Sequence, residues 1–279
     1  MKAGINFLLW TVHVDEEHFP LFKKLKDVGY DGVELPLTAG DEAHYRKVRK
    51  AIEDEGLEVT CTSNCTPEKN LISSDPKIRQ AGLDHLKWAV DVSHAVGSKI
   101  IGGPIHSAPG VFTGEVPTAQ EYGWAVENLR AAAEYAAQAD VTLTIEFLNR
   151  FESYLLNTVG QSKDVVGEVN HPNLGIHYDT HHVHYEEYCI ETAIKLGADD
   201  IKHVHYSESN RGIPGKGLVD WDTNTKALKE IGYDGWITIE SFTPKVDGLR
   251  QALHIWRNFF ATEEECYRGG INLVNKHWR

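Results

Sequence analysis

Four residues able to bind a cation stand at the ends of four successive strand-like segments: Glu146, Asp179, His205 and Glu240. Side chains alternate faces along a strand, so residues two apart share a face. In the segment 141–146, Thr142, Thr144 and Glu146 lie opposite Val141, Leu143 and Ile145. In 174–179, Gly175, His177 and Asp179 lie opposite Leu174, Ile176 and Tyr178. In 201–205, Ile201, His203 and His205 share a side, with Val204 opposite; in 236–240, Trp236, Thr238 and Glu240 oppose Ile237 and Ile239. The apolar sets suit contact with helices, and the mixed sets suit an enclosed interior. Each mixed set ends in a potential ligand at the same rim. Three carboxylates brought to one point repel, and burial raises their proton affinity. A divalent cation removes that conflict. Three oxygen donors and one imidazole suit Mn²⁺, Co²⁺ or Mg²⁺ better than a thiolate-rich zinc site. A lone carboxylate at a strand end also reads as a helix N-cap or a rim ion pair. Repetition in four consecutive segments favours the metal.

The elements that must position these residues alternate along the whole chain. Strands are expected at 4–9, 32–35, 57–61, 99–103, 141–146, 174–179, 201–205 and 236–240. Helices are expected at 16–28, 42–55, 76–96, 119–139, 161–169, 185–196, 223–231 and 247–261. Glycines at 29, 56, 97 and 232 suit helix C-caps. Alternating strands and helices imply a parallel sheet with helical crossovers. Eight such units are the count of a closed (β/α)8 TIM barrel, an α/β fold whose active sites sit at the C-terminal rim. The expectation is one barrel domain over residues 1–279, with a less regular tail from about Thr262. An open dinucleotide-binding sheet is disfavoured, because no Gly-x-Gly-x-x-Gly follows the first strand.

Composition narrows the partners. The 279 residues carry a formal net charge of −13. Phosphate contacts need clustered Lys and Arg, so neither nucleic acid nor an anionic membrane is an expected partner. No run of 18 apolar residues suggests a membrane span. The N-terminal residues lack the pattern of a signal peptide, and four cysteines do not make a disulfide scaffold, so the cytoplasm is the expected compartment. Cys61 and Cys65 lack further cysteines to complete a zinc site and read as buried or free thiols. After the seventh strand comes a Gly-rich stretch, 207–217, without P-loop spacing; it reads as an ordered turn in which Arg211 offers a planar fork to a substrate oxygen or a carboxylate. His181 and His184 are expected in a surface loop, whereas His182, three residues after Asp179, is expected to face the site.

Several longer stretches carry a resemblance. They are Ile145-Glu146-Phe147-Leu148-Asn149-Arg150-Phe151-Glu152, Asp179-Thr180-His181-His182, the run from His203 to Arg211 with Pro214-Gly215-Lys216-Gly217, and Ile239-Glu240-Ser241-Phe242. Ile101-Gly102-Gly103-Pro104-Ile105-His106-Ser107 also fits. On these the chain resembles the ketose 3-epimerases, the D-tagatose/D-psicose (allulose) 3-epimerase family, within the wider superfamily of sugar isomerase and endonuclease IV-like barrels. The resemblance implies that Glu146, Asp179, His205 and Glu240 hold the metal, usually Mn²⁺ or Co²⁺. It implies that Glu146 and Glu240 are also the acid/base pair, and that Glu152, His182 and Arg211 contact the O1–O3 end of a sugar. It further implies a homodimer or homotetramer. Two places depart from the family pattern: Asn6 stands where a Tyr is often found, and Ser107-Ala108-Pro109-Gly110 replaces an aromatic pair. Chemistry at C2–C3 therefore carries over more directly than the identity of the sugar.

The expected reaction is epimerisation of a free ketose at C3 through a cis-enediolate. Alternatives on the same barrel are an aldose–ketose or inosose isomerase, or a 3-keto-glycoside lyase. An endonuclease IV-like repair enzyme would need a multi-zinc cluster and a basic face, which the acidic balance disfavours. A decayed, non-catalytic barrel would have no packing reason to keep three carboxylates at one rim.

Overall fold

A computed structural model describes all 279 residues. Eight parallel strands form one sheet, ordered β1-β8-β7-β6-β5-β4-β3-β2. They are β1 (Lys2–Ile5), β2 (Gly32–Pro36), β3 (Glu58–Thr62), β4 (Ile100–Gly102), β5 (Thr142–Glu146), β6 (Leu174–Asp179), β7 (Ile201–Ser207) and β8 (Trp236–Glu240). The outer strands β1 and β2 meet at a single parallel bridge, Asn6 to Glu34, which brings the sheet round into a barrel. This is the expected (β/α)8 TIM barrel. No helix is long and apolar enough to cross a membrane.

Helices α1 (Pro20–Val28), α2 (Glu42–Asp54), α3 (Pro76–Val96), α4 (Ala119–Ala137) and α5 (Val159–Val169) follow the first five units. Their ends are chemically marked. Asp41, Asp75, Thr118 and Thr158 each accept a backbone N–H of the first turn, satisfying donors that have no partner within the helix. Gly29 and Gly97 close α1 and α3 in the left-handed region, at φ 104° and 89°. The apolar faces of the strands meet these helices in one core cluster. Two strand tyrosines are tied to their covering helix as well: Tyr178 donates to Asn224 Oδ1 at 2.6 Å, and the Tyr206 and Thr225 hydroxyls lie 2.7 Å apart.

The second half departs from expectation in three places. The single helix expected at 185–196 is two, α6 (Thr180–Glu186) and α7 (Ile190–Leu196). Helix α6 therefore begins at once after β6, where a loop was expected. After α8 (Trp221–Glu230), the expected helix 247–261 shrinks to one turn, α9 (Leu249–Ala252). His254, at φ 56°, lies in a backbone region foreign to a right-handed helix. The tail expected to be irregular from about Thr262 is instead a 16-residue helix, α10 (Glu263–Trp278).

Helix α10 has an N-cap in Thr262, three glutamates in its first turn, and Lys276 and His277 in its last. Both charge placements favour the helix dipole. Its buried stripe is Cys266, Tyr267, Gly270, Ile271 and Val274, a helical period that the Gly269-Gly270 pair obscures. Gly270 is required by contact: a Cβ there would lie 2.8 Å from Ile239 on β8. Tyr30 donates to the Tyr267 carbonyl at 2.7 Å, and α10 packs outside β1 and β8, between α8 and α1.

That packing predicts the cost of loosening it. Ile271 is 2% exposed. Ile271→Ala is expected to destabilise the fold by about 2–5 kcal/mol, read from the midpoint of urea unfolding, whereas Lys276→Ala on the outer face shifts it little.

Candidate metal and sugar site

The interior of this barrel is unusually polar. Glu34 on β2, Thr60 on β3, His177 on β6, and His203 and His205 on β7 are all buried and in mutual contact. A bulge between Ile176 and His177 sets the register of β6 on β7, so that His177 pairs with His203 and Asp179 with His205. The imidazoles thus meet edge to face in the barrel interior. Gly102 on β4 leaves room for them, since a Cβ there would lie 2.7 Å from His177 Nδ1. The Gly103 N–H donates to that same nitrogen at 3.0 Å.

At the rim the four expected ligands converge. Glu146, Asp179, His205 and Glu240 are each buried, and one ligand atom from each lies within 4.8 Å of the others. Asp179 combines both roles weighed for it: Oδ1 caps α6 by accepting the His181 N–H at 2.6 Å, while Oδ2 faces the cluster. His205 Nδ1 lies 3.3 Å from Glu240 Oε1 and 3.8 Å from Asp179 Oδ2. It is a fully buried nitrogen with no hydrogen-bond partner. An unpartnered imidazole nitrogen among three carboxylates is a donor set that fits a divalent ion.

Protonation is distributed unevenly over the cluster. Burial pushes Glu146 well above the usual carboxylate range, and the charges of Glu240 and Asp179 push it further. Asp179 is pushed up to about 6 by burial, against the pull of Arg211. Burial would raise Glu240 too, but His205 and Arg211 outweigh it and hold Glu240 low. The asymmetry follows from where the cation sits. Arg211 Nη1 donates to Glu240 Oε2 at 2.8 Å and to Asp179 Oδ2 at 3.3 Å. Glu146 has instead His182 Nε2 at 3.4 Å, an imidazole kept neutral by burial and by Arg211.

The expected sugar contacts surround the same point. Helix α6 turns His182 inward, where Nδ1 accepts the Asn149 N–H at 2.9 Å and Arg211 Nη2 lies 3.0 Å from Nε2. Glu152 accepts from Asn149 Nδ2 at 2.8 Å and stays partly exposed at the cavity wall. Arg211 is held at φ 60° by the Gly-rich turn. Glu208, fully buried, organises that turn: its carboxylate accepts N–H groups from Ser209, Gly215, Val219 and the Trp221 indole. Gly217 must lack a side chain, because a Cβ would lie 2.3 Å from Glu208 Oε1.

His181 is a correction: it is 6% exposed, and its Nδ1 bonds the Glu208 carbonyl at 3.0 Å. Once α6 starts at Thr180, capped by Asp179, its second residue, His181, is brought under the loop. Glu34 was not singled out from the sequence. A lone Glu in an apolar strand gives no signal until closure of the barrel sets it opposite His203 and His205.

A cavity of about 360 Å³ opens over the cluster, lined by Glu146, Glu152, His182, Arg211 and Glu240. Leu8, Val12, Leu37, Leu249 and Leu253 also line it, together with the polar Thr38, Ser63, Asn64 and Gln251.

With this geometry in place, the fold and site define a class. The pattern of the xylose isomerase-like TIM barrel family matches residues 22–259, and the chain belongs to that family. Within it the chain groups with the ketose 3-epimerases, among the carbohydrate isomerases. It is 35% identical over 268 residues to the ketose 3-epimerase of Arthrobacter globiformis, covering 95% of this chain and 92% of that protein. It is 30% identical to the D-psicose 3-epimerase of Agrobacterium fabrum, covering 92% and 91%. The D-allulose 3-epimerase of Methylomonas sp., solved in complex with D-allulose, superposes with a TM-score of 0.92 at 26% identity, covering 100% of this chain and 97% of that one.

The carboxylate cluster makes a pH-dependent prediction. Without a bound ion, the folded pKa of Asp179, about 6, lies above its ordinary value of 3.8. The folded state then binds more protons in that window, so this contribution to stability is present at low pH and lost as pH rises from 3.8 to about 6. Glu146 shifts in the same direction. Ion binding needs these groups charged. Added Mn²⁺ is therefore expected to raise the Tm of chelator-treated protein more at pH 8 than at pH 5. Equal shifts at both values would count against an ion among these carboxylates.

Proposed function

We propose that the protein is a metal-dependent ketose 3-epimerase that removes and returns the C3 proton of a free ketose through a cis-enediolate. Glu146, Asp179, His205 and Glu240 would hold the ion, and Mn²⁺ suits this donor set, with Co²⁺ or Mg²⁺ as alternatives. When bound, such an ion supplies Lewis acidity that stabilises negative charge at O2 of the sugar. The observation that carries the reading is the convergence of three carboxylates and an unpartnered imidazole nitrogen under one cavity.

The C3 hydrogen of a ketose is weakly acidic because its loss places charge on O2. Inverting the centre needs a base on one face of C3 and an acid on the other. Glu146 and Glu240 come from β5 and β8, three strands apart, and both line the cavity. Their environments already separate them. Before an ion binds, Arg211 and His205 favour charged Glu240, while burial beside like charges favours protonated Glu146. A bound ion would offset the repulsion among the carboxylates, and the contact of Glu240 with Arg211 would still distinguish the two groups. In one direction Glu240 takes the proton and Glu146 supplies one from the other side; the reverse reaction exchanges the roles. His182 and Arg211 stabilise charge at O1 or O2, and Glu152 orients a hydroxyl.

The cavity also supports an unphosphorylated substrate. Its wall contains no lysine, and its one arginine is already bonded to Asp179 and Glu240. A phosphate would find no unpaired lysine or arginine there.

Glu146→Gln and Glu240→Gln are each expected to abolish turnover while retaining some metal binding. Near-native epimerisation by either variant defeats the two-carboxylate scheme. In D₂O the sugar is expected to gain deuterium at C3. Exchange at C1 would identify an aldose–ketose isomerase instead.

A further inference from the structure

The deepest carboxylate of the barrel, Glu34, lies below the proposed ion site and is wholly buried. It receives four donors. His205 Nε2 and His203 Nε2 each stand 2.6 Å from one of its oxygens. Thr60 Oγ1 donates at 3.0 Å and Asn6 Nδ2 at 2.9 Å. The Asn6 amide is itself oriented, because its Oδ1 accepts the Leu8 N–H at 2.8 Å. With four donors aimed at its lone pairs, Glu34 has no room for a proton of its own and acts only as acceptor. The imidazole nitrogens facing it must therefore carry hydrogen.

For His205 this has a consequence at the other side of the ring. When an ion displaces the second proton of the ring, an imidazole that keeps its hydrogen on Nε2 presents a lone pair at Nδ1, and Nδ1 is the unpartnered nitrogen aimed at Glu240 and Asp179. We propose that Glu34 is the positioning residue of the ion site: it fixes His205 as the Nε2–H tautomer, so that Nδ1 is the ligand atom. His203 occupies the second oxygen of Glu34 and prevents the carboxylate from rotating. Asn6 extends the same clamp to the rim, since its Nδ2 also lies 3.4 Å from Glu240 Oε1. One buried acid from β2 thus orients ligands on β7 and β8. The inference rests on the metal-dependent reading above and adds to it the residue that sets ligand geometry. Carboxylates behind metal-bound histidines act in this way generally.

The test is Mn²⁺ affinity, measured by chelator competition on metal-stripped protein, together with histidine ¹⁵N chemical shifts of the Mg²⁺-loaded wild type. Glu34→Leu removes the acceptor and is expected to weaken Mn²⁺ binding about 10–100-fold. Glu34→Gln keeps an oxygen, which the fixed Asn6 donor selects for the His205 side, and is expected to restore most of that affinity. The shifts are expected to show hydrogen on His205 Nε2 in the wild type, an observation that needs no variant to fold. Wild-type affinity in Glu34→Leu, or hydrogen on His205 Nδ1, overturns the proposal while the metal reading stands. Absence of Mn²⁺ binding by the wild type overturns both.

Discussion

Three carboxylates enclosed at the mouth of a barrel set the terms for everything around them. Two like charges 4 Å apart repel by about 4 kcal/mol when the effective dielectric constant is about 20. Glu146, Asp179 and Glu240 face that repulsion in three pairs, in a buried place where water screens it little. The structure meets it with Arg211, with His205, and by leaving Glu146 to take up a proton. Each of these remedies has its own scaffolding. Arg211 needs a strained backbone, and the buried Glu208 carboxylate gathers the N–H groups that hold its turn. His205 needs Glu34 behind it. A charged site of this density is destabilising by itself, and a second tier of buried polar groups keeps it in place.

This second tier explains why the barrel interior departs from the branched aliphatic filling usual for the fold. Imidazoles and a carboxylate occupy the layers below the rim. Apolar packing is moved outward, to the strand faces under the helices, where Leu143, Ile145, Ile176, Val204, Ile237 and Ile239 are buried. Stability and chemistry are thereby divided between the two faces of the same strands. The strict alternation of the sheet makes that division possible, because a shift of one residue would exchange the two sets.

The same alternation explains what was legible in the sequence. Eight alternating strand and helix segments indicated the barrel, and four strands whose mixed faces end in Glu, Asp, His and Glu indicated the cluster, because strand period and rim position are local properties. His182 and Arg211 stood out by their place after β6 and in the Gly-rich turn, Glu152 through the resemblance, and all three gather at the same cavity. Less was legible where geometry is not local. Glu34 acquires meaning only when β2 and β7 face each other across the closed barrel. His181 seemed a loop residue until Asp179 proved to be at once a candidate ligand and a helix cap, which starts α6 directly at the site. Helix α10 was hidden by two adjacent glycines, one of which is there because Ile239 leaves no space for a Cβ.

The departures from the family pattern acquire a physical reading at this level. Asn6 stands where a tyrosine is common, and in this chain its short amide reaches Glu34 and Glu240 together. A phenol at that position would carry its hydroxyl further from the backbone and could not make both contacts from the same place. The residue present in this chain is therefore a brace beneath the rim. It leaves the cavity wall above β1 to Leu8 and Val12, which offer no hydrogen bond to a distal hydroxyl. The rest of the wall is mixed: Thr38, Ser63, Asn64 and Gln251 line the same cavity as Glu152, His182 and Arg211, so the polar groups it offers are not confined to the ion site.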